Sequence, residues 1–385
     1  MAYLRNTTVN LLNLHYGIHA FVLSGAGAFY SVYLLKAGVP VYAVFAAYGS
    51  ILVGRLAIRP LVLVLALKFG LRATVVFGTV LSAVQYFLLP EVRGVDTMLL
   101  LVVIAASAGD TFYWTSYHAY FAYLGDTEHR GHQIGAREAI ASIAAILGPL
   151  IHAWGLVVFG PSLAFGVAGV ILALSAAPFL GTPEVAVKRN IGGVYRTALP
   201  GILLFFADGI TTTGALIVWQ VALFLSLNES IAAYGGAMAL AGLVGAAAGL
   251  LLGRNIDLGH GKRAVLIAYG TYAVLIVLRA VSADAAVFAV IANALGALAA
   301  SLYVPTVMTP VYNLAKRSPC PLRFHIATEG GWDLGGGGAC FGAAALAGLG
   351  APFSALILTA LLGVVASVIL LLRYYEKDAA VTTSV

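Results

Sequence analysis

The sequence predicts an all-α integral membrane protein with twelve transmembrane helices, and three observations carry that prediction. Of the 385 residues, 61% are hydrophobic and only 9% charged, with a mean hydropathy of +0.98, which leaves too little polar surface to coat a soluble globule of this size. Cutting the chain at its polar and Gly/Pro punctuation leaves twelve apolar runs near the ~20 residues that a bilayer span requires. Lys and Arg fall unevenly on the loops between those runs, sixteen on the side of the N-terminus and three on the other, so both termini are expected in the cytoplasm.

The first run, roughly residues 10–35, follows a short polar start with one Arg and no small-residue cleavage site, and so reads as a membrane helix rather than a signal peptide. The second, roughly 40–66, holds Arg55 near its centre and Arg59-Pro60 one turn nearer the loop, where Arg59 is expected to snorkel toward the headgroups as a structural residue. Runs over roughly 71–90, 97–124, 136–160 and 162–181 complete a first set of six. The polar stretch 182–197, with Pro183, Lys188, Arg189 and Arg196, then divides the chain six and six. The second set covers roughly 199–227, 231–253, 264–282, 285–314, 322–349 and 351–374. The expected domains are therefore 1–181, a cytoplasmic linker 182–197, and 198–385.

An offset of about 191 residues relates the two sets: Gly17-Ile18 to Gly209-Ile210, Gly70-Leu71-Arg72 to Gly261-Lys262-Arg263, Thr115 to Thr306, and Ala136-Arg137-Glu138 to Ala327-Thr328-Glu329. Between the eighth and ninth runs stands a polar turn in which Gly253, Asp257, Gly261, Lys262 and Arg263 place an acid and a basic pair between glycines. This turn resembles the short cytoplasmic loop signature of the major facilitator superfamily of secondary transporters. In the corresponding loop after the second run, Lys68, Gly70 and Arg72 remain, but Leu67 replaces the acid and Leu63 the leading glycine. The resemblance implies two pseudo-symmetric six-helix bundles rocking about a midplane site, with the Gly253 to Arg263 turn as a conformational latch and the first, fourth, seventh and tenth helices lining a central cavity.

Ionisable side chains at membrane depth cost on the order of 2.5 to 3.5 kcal/mol to insert and default to functional candidates. Asp110, Trp114, Tyr117 and His118 form one stripe of the fourth helix, and His325, Glu329, Trp332 and Asp333 one stripe of the eleventh. Two acids and a His on a stripe point to proton coupling or cation binding. Asp208 in the seventh helix precedes Thr211, Thr212 and Thr213, while His15 and His19 are an i, i+4 pair on the first. Tyr30 and Tyr33 read as interfacial aromatics. Arg55 needs an anion at its depth, either a substrate or a carboxylate, with Glu329 or Asp333 expected to pair with it across the bundle interface.

These patterns exclude several classes. No Gly-x-x-x-x-Gly-Lys-Ser/Thr loop is present to run transport on ATP, no nucleophile-and-base motif stands in the polar loops, and Cys320 and Cys340 have no zinc-type spacing. The expectation is a proton-coupled efflux carrier for a small organic molecule in the cytoplasmic (inner) membrane, monomeric, with no cofactor, no metal and no nucleic-acid partner. A divalent metal exporter and a non-transporting receptor or assembly factor on the same scaffold are the alternatives.

Overall fold

The computed structural model describes residues 6–124, 130–187, 189, 192–256 and 261–382, and every regular element among them is helical. Among the described residues, eleven helices are long and apolar enough to cross a bilayer. They are α1 Thr7–Lys36, α2 Val41–Phe69, α3 Leu71–Glu91, α4 Thr97–Leu124, α5 Arg130–Phe159, α6 Pro161–Gly181, α7 Arg196–Ser226, α8 Ile231–Ile256, α9 Lys262–Ser282, α10 Ala286–Arg317 and α12 Phe353–Glu376. A further helix, α11 Pro321–Gly348, matches them in length at 28 residues. Its Arg323, His325, Glu329, Asp333 and eight glycines make it too polar to count as a span by composition alone. The polar face of α11 is covered by neighbouring helices rather than by lipid, which is how such a segment tolerates its place.

The helix pairings repeat. In the first half of the chain α1 packs on α5 and α6, α2 on α4, and α3 on α4 and α6. In the second half α7 packs on α11 and α12, α8 on α10, and α9 on α10 and α12. Each pair in the second group is a pair from the first moved on by six helices. The first helix of each half is also interrupted alike, by a π-helical stretch at Leu23–Gly27 in α1 and at Thr213–Val218 in α7. These stretches begin 190 and end 191 residues apart, in the register of the sequence repeat. The chief contacts between the halves are α2 with α11 and α5 with α8.

Glycines shape the contacts of α11 in two ways. A Cβ at Gly331 would run into the carbonyl of Ile202, and one at Gly335 into the carbonyl of Phe206, so α11 lies backbone to backbone on α7. Toward α2 the neighbours are side chains: Phe341 beside Gly49, Leu52 beside Gly336, and Leu56 beside Gly330.

The turn from α2 to α3 departs from the sequence expectation. Gly70 takes φ +88°, and the acid absent from this loop is supplied by Glu184, more than a hundred residues onward. Its Oε1 accepts from the Arg72 backbone N–H at 2.8 Å, and its Oε2 lies 3.4 Å from Arg72 Nε. Leu71 N–H donates to Val185 O at 3.0 Å, and Tyr120 donates to Thr182 Oγ1 at 2.8 Å. The segment after α6 thus straps the ends of α3 and α4, with Glu184 at the positive end of α3. In the later signature turn, Asp257 lies outside the described residues. Gly253 lies in α8, Gly261 opens α9 with φ +114°, Lys262 Nζ pairs with Glu376 Oε1 at 2.9 Å, and Arg263 is exposed.

Candidate functional site

Arg55 and Arg59 are four residues apart on α2, and Glu329 and Asp333 four apart on α11, so each pair occupies one helical face. The two faces meet. Arg59 Nη1 donates to Glu329 Oε2 at 2.9 Å and to Thr115 Oγ1 of α4 at 2.9 Å, and its Nε donates to Asp333 Oδ2 at 3.0 Å, with Nη2 on the same oxygen. Thr115 in turn donates to Glu329 at 3.2 Å. Arg55 Nε stands 3.0 Å from Asp333 Oδ1, out of line for a hydrogen bond, and its Nη1 is 3.9 Å from Asp110 Oδ2.

This corrects the reading of Arg59. It does not snorkel: it is 2% exposed and is the most fully bonded cation of the cluster. The proximity of Pro60 and the loop suggested a rim position, but α11 closes over this depth of α2. The expected partnership of Arg55 falls to Asp333, while Glu329 belongs to Arg59.

A second cluster adjoins the first. Asp208 accepts from Tyr303 of α10 through one oxygen and from Trp332 Nε1 of α11 at 3.1 Å through the other. Among the described residues it has no cationic partner. Trp332 also lies under the guanidinium of Arg55, 5.5 Å from ring centroid to Cζ, and so joins the two clusters.

Two cavities flank this layer. One, of about 260 Å³, lies on the side away from the N-terminus and holds Asp110, His19, Tyr30, Tyr48 and Tyr86. The other, of about 310 Å³, lies toward the N-terminal end and holds Asp208, Glu329, His118, His325 and Met308. Arg55, Trp114 and Trp332 line both, and form the septum between them. His118 and His325 face each other with ring centroids 6.1 Å apart.

Of the other sequence candidates, Tyr117 lines neither cavity. At its depth α1 closes in, and it stacks on Tyr16 at 5.5 Å. His15 Nδ1 donates to Ser175 O at 2.7 Å and its Nε2 accepts from Tyr113 at 3.0 Å, a fully used ring joining three helices. Tyr30 is not interfacial: it packs on Tyr48 of α2 with ring centroids 5.4 Å apart and is 5% exposed at the cavity wall. Trp219 is buried beneath Arg279, which donates to the Ala215 carbonyl within the π-helical stretch of α7. Among the described residues no three His, Cys, Asp or Glu side chains converge as metal ligands. Arg59, Thr115 and Tyr303 in the charged clusters, and Tyr48, Tyr86 and Met308 in the cavity walls, are site residues that the sequence did not single out for the site.

The sequence matches the pattern of the Major Facilitator Superfamily over residues 12–317. No curated protein matches it. Among solved structures, it is similar to the crystal structure of the nucleoside transporter NupG, with a TM-score of 0.63 at 14% identity over 96% of this chain and 98% of that one. It is also similar to an auto-inhibited peptide transporter of the POT family, with a TM-score of 0.65 at 13% identity over 96% of each chain. At these identities the likeness is one of fold.

Proposed function

Since this chain belongs to the major facilitator superfamily, we propose that it is a secondary active transporter that exports a small organic solute by alternating access in exchange for protons. The observation that carries the reading is the pair of cavities sharing one septum of Arg55, Trp114 and Trp332. Opening either cavity to its own face of the membrane, with the other closed, gives the central layer access to one side at a time. The repeated pairings support two six-helix bundles, residues 1–181 and 198–385 with 182–197 between them and α11 as the twelfth span. The charge asymmetry supports cytoplasmic termini in a cytoplasmic membrane.

Charge parity supports protons. The contiguous cluster holds four carboxylates, Asp110, Asp208, Glu329 and Asp333, against two guanidinium groups, Arg55 and Arg59. Glu329 and Asp333 are matched by the arginines, and Asp110 and Asp208 are left over. Uncompensated charge at this depth is costly, so the resting protein holds protons there or takes up a cation. A receptor has no need of such a surplus.

A thermal-shift panel of organic acids, amines and sugars identifies a solute, and its addition to proteoliposomes loaded with a pH-sensitive dye should move protons. Solute flux indifferent to an imposed pH gradient would remove proton exchange from the reading.

A further inference from the structure

We propose that the cavity around Asp110 binds a compact organic monocation, an amine or quaternary ammonium with an apolar body. The proposal rests on the transport reading above and names its class of solute. Five aromatic side chains, Tyr30, Tyr48, Tyr86, Trp114 and Trp332, share the wall with the single carboxylate of Asp110. Aromatic faces beside one carboxylate are the chemistry that recognises an ammonium, because each ring presents its negative face to the cation.

The remaining charges leave that carboxylate available. Asp110 is 32% exposed into the cavity, and its one charged partner among the described residues, Arg55, stands at 3.9 Å while engaged with Asp333 at 3.0 Å. An anionic solute gains little here, since Arg55 is already matched.

Unmet hydrogen bonds point the same way. The side chains of His19, Tyr30 and Ser82 line this cavity, and among the described residues His19 Nδ1, Tyr30 OH and Ser82 Oγ have no hydrogen-bond partner. Each of the two hydroxyls can accept from a solute N–H, and leaving a buried polar atom unmet costs about 1–3 kcal/mol. The volume of about 260 Å³ falls just below the ~300–1,000 Å³ of ordinary small-molecule sites, so the solute is compact.

The groups facing Asp110 are His19 and Tyr30 of α1, Tyr48 and Arg55 of α2, Tyr86 of α3, and Trp332 and Asp333 of α11. None of them supplies an unmatched positive charge, so a proton and the solute cation compete for Asp110. That competition is itself a route to exchange: the site releases one when it takes the other.

The test uses the full-length purified protein and three probes of nearly equal shape, benzylamine, benzyl alcohol and benzoate, read by tryptophan fluorescence and thermal unfolding. Benzylamine should quench fluorescence and raise the melting temperature, at least tenfold more tightly than the alcohol or the acid, with affinity falling as the pH is lowered. Asp110→Asn should lose at least tenfold in benzylamine affinity and Asp110→Glu should regain part of it. Equal binding of all three probes, preference for benzoate, or no response to benzylamine overturns the proposal, and these readings come from the unmutated protein even where a variant fails to fold. If an anionic or neutral solute drives proton movement in proteoliposomes while benzylamine does not bind, the cation assignment fails and the carrier stands. If no solute in the panel moves protons, the exchange reading itself fails.

Discussion

Asp333 is held from both sides, with Arg55 Nε 3.0 Å from one carboxylate oxygen and Arg59 on the other. The acid comes from the second half of the chain and both arginines from the first. Any motion that parts α2 from α11 at this depth therefore breaks ion pairs that are shut away from water.

Removing one partner should cost more than removing the pair. Arg59→Ala and Glu329→Ala each leave an uncompensated buried charge, a loss on the order of 3–5 kcal/mol, whereas the double variant removes both. A double-mutant cycle read by transport and by labelling of cavity cysteines should show coupling of about 0.5–3 kcal/mol. The same cycle for Arg55 and Asp333 should also be coupled, and strict additivity in both would refute a gate here.

Asp208 should share the coupling of protons to solute with Asp110. Asp208→Asn keeps the shape and removes the charge, and is expected to weaken the pH dependence of solute flux in proteoliposomes, leaving the part that competition at Asp110 supplies. Tyr303→Phe removes one of its two donors, worth about 0.5–1.5 kcal/mol, and should shift the midpoint of that pH dependence without abolishing it. An unchanged profile in Asp208→Asn would move the coupling role to Asp110.

The glycine run of α11 should divide by position. Gly335→Ala meets the Phe206 carbonyl and the backbone of α7, while nothing lies within 4 Å of a Cβ at Gly338. The first should destabilise by about 1–3 kcal/mol, as overpacking does, and the second should be neutral or slightly stabilising, because alanine is the better helix former. Thermal unfolding of the two variants decides.

The strap at Glu184 should behave as a helix cap. Glu184→Ala is expected to lower stability by about 0.5–2 kcal/mol. Gly70→Ala should cost more, because it strains a φ of +88° and collides with the same carboxylate. If Glu184→Ala melts like the unmutated protein, the strap is passive.

Much of the site was legible because a charge inside an apolar run has no ordinary reason to be there. Arg55, Asp110, Asp208, Glu329 and Asp333 stood out on that ground, and depth together with the family resemblance put Arg55 against Glu329 or Asp333, of which the structure gives it Asp333. Arg59 was misplaced because one turn of helix separates a rim from a core, and only the position of α11 decides between them. Tyr303 carries no mark in sequence, since a tyrosine in an apolar helix is ordinary until an acid is found beside it. Glu184 could not be assigned to the Arg72 turn because their contact spans a hundred residues of chain. The repeat was readable in register, and the matching π-helical stretches of α1 and α7 now give it a structural counterpart.

The surplus of acids in the core also has an electrical side. A charge carried through the full membrane field is worth about 2.3 kcal/mol per 100 mV, and the empty, deprotonated cluster holds two more negative than positive groups. A cytoplasm-negative voltage therefore drives the empty carrier toward its outward-facing form. The form loaded with two protons or their cationic equivalent is neutral and indifferent to that voltage. In exchange only loaded forms cross, so the resting potential should leave translocation of the neutral two-proton form unchanged and act on the empty site by holding it open to the outside.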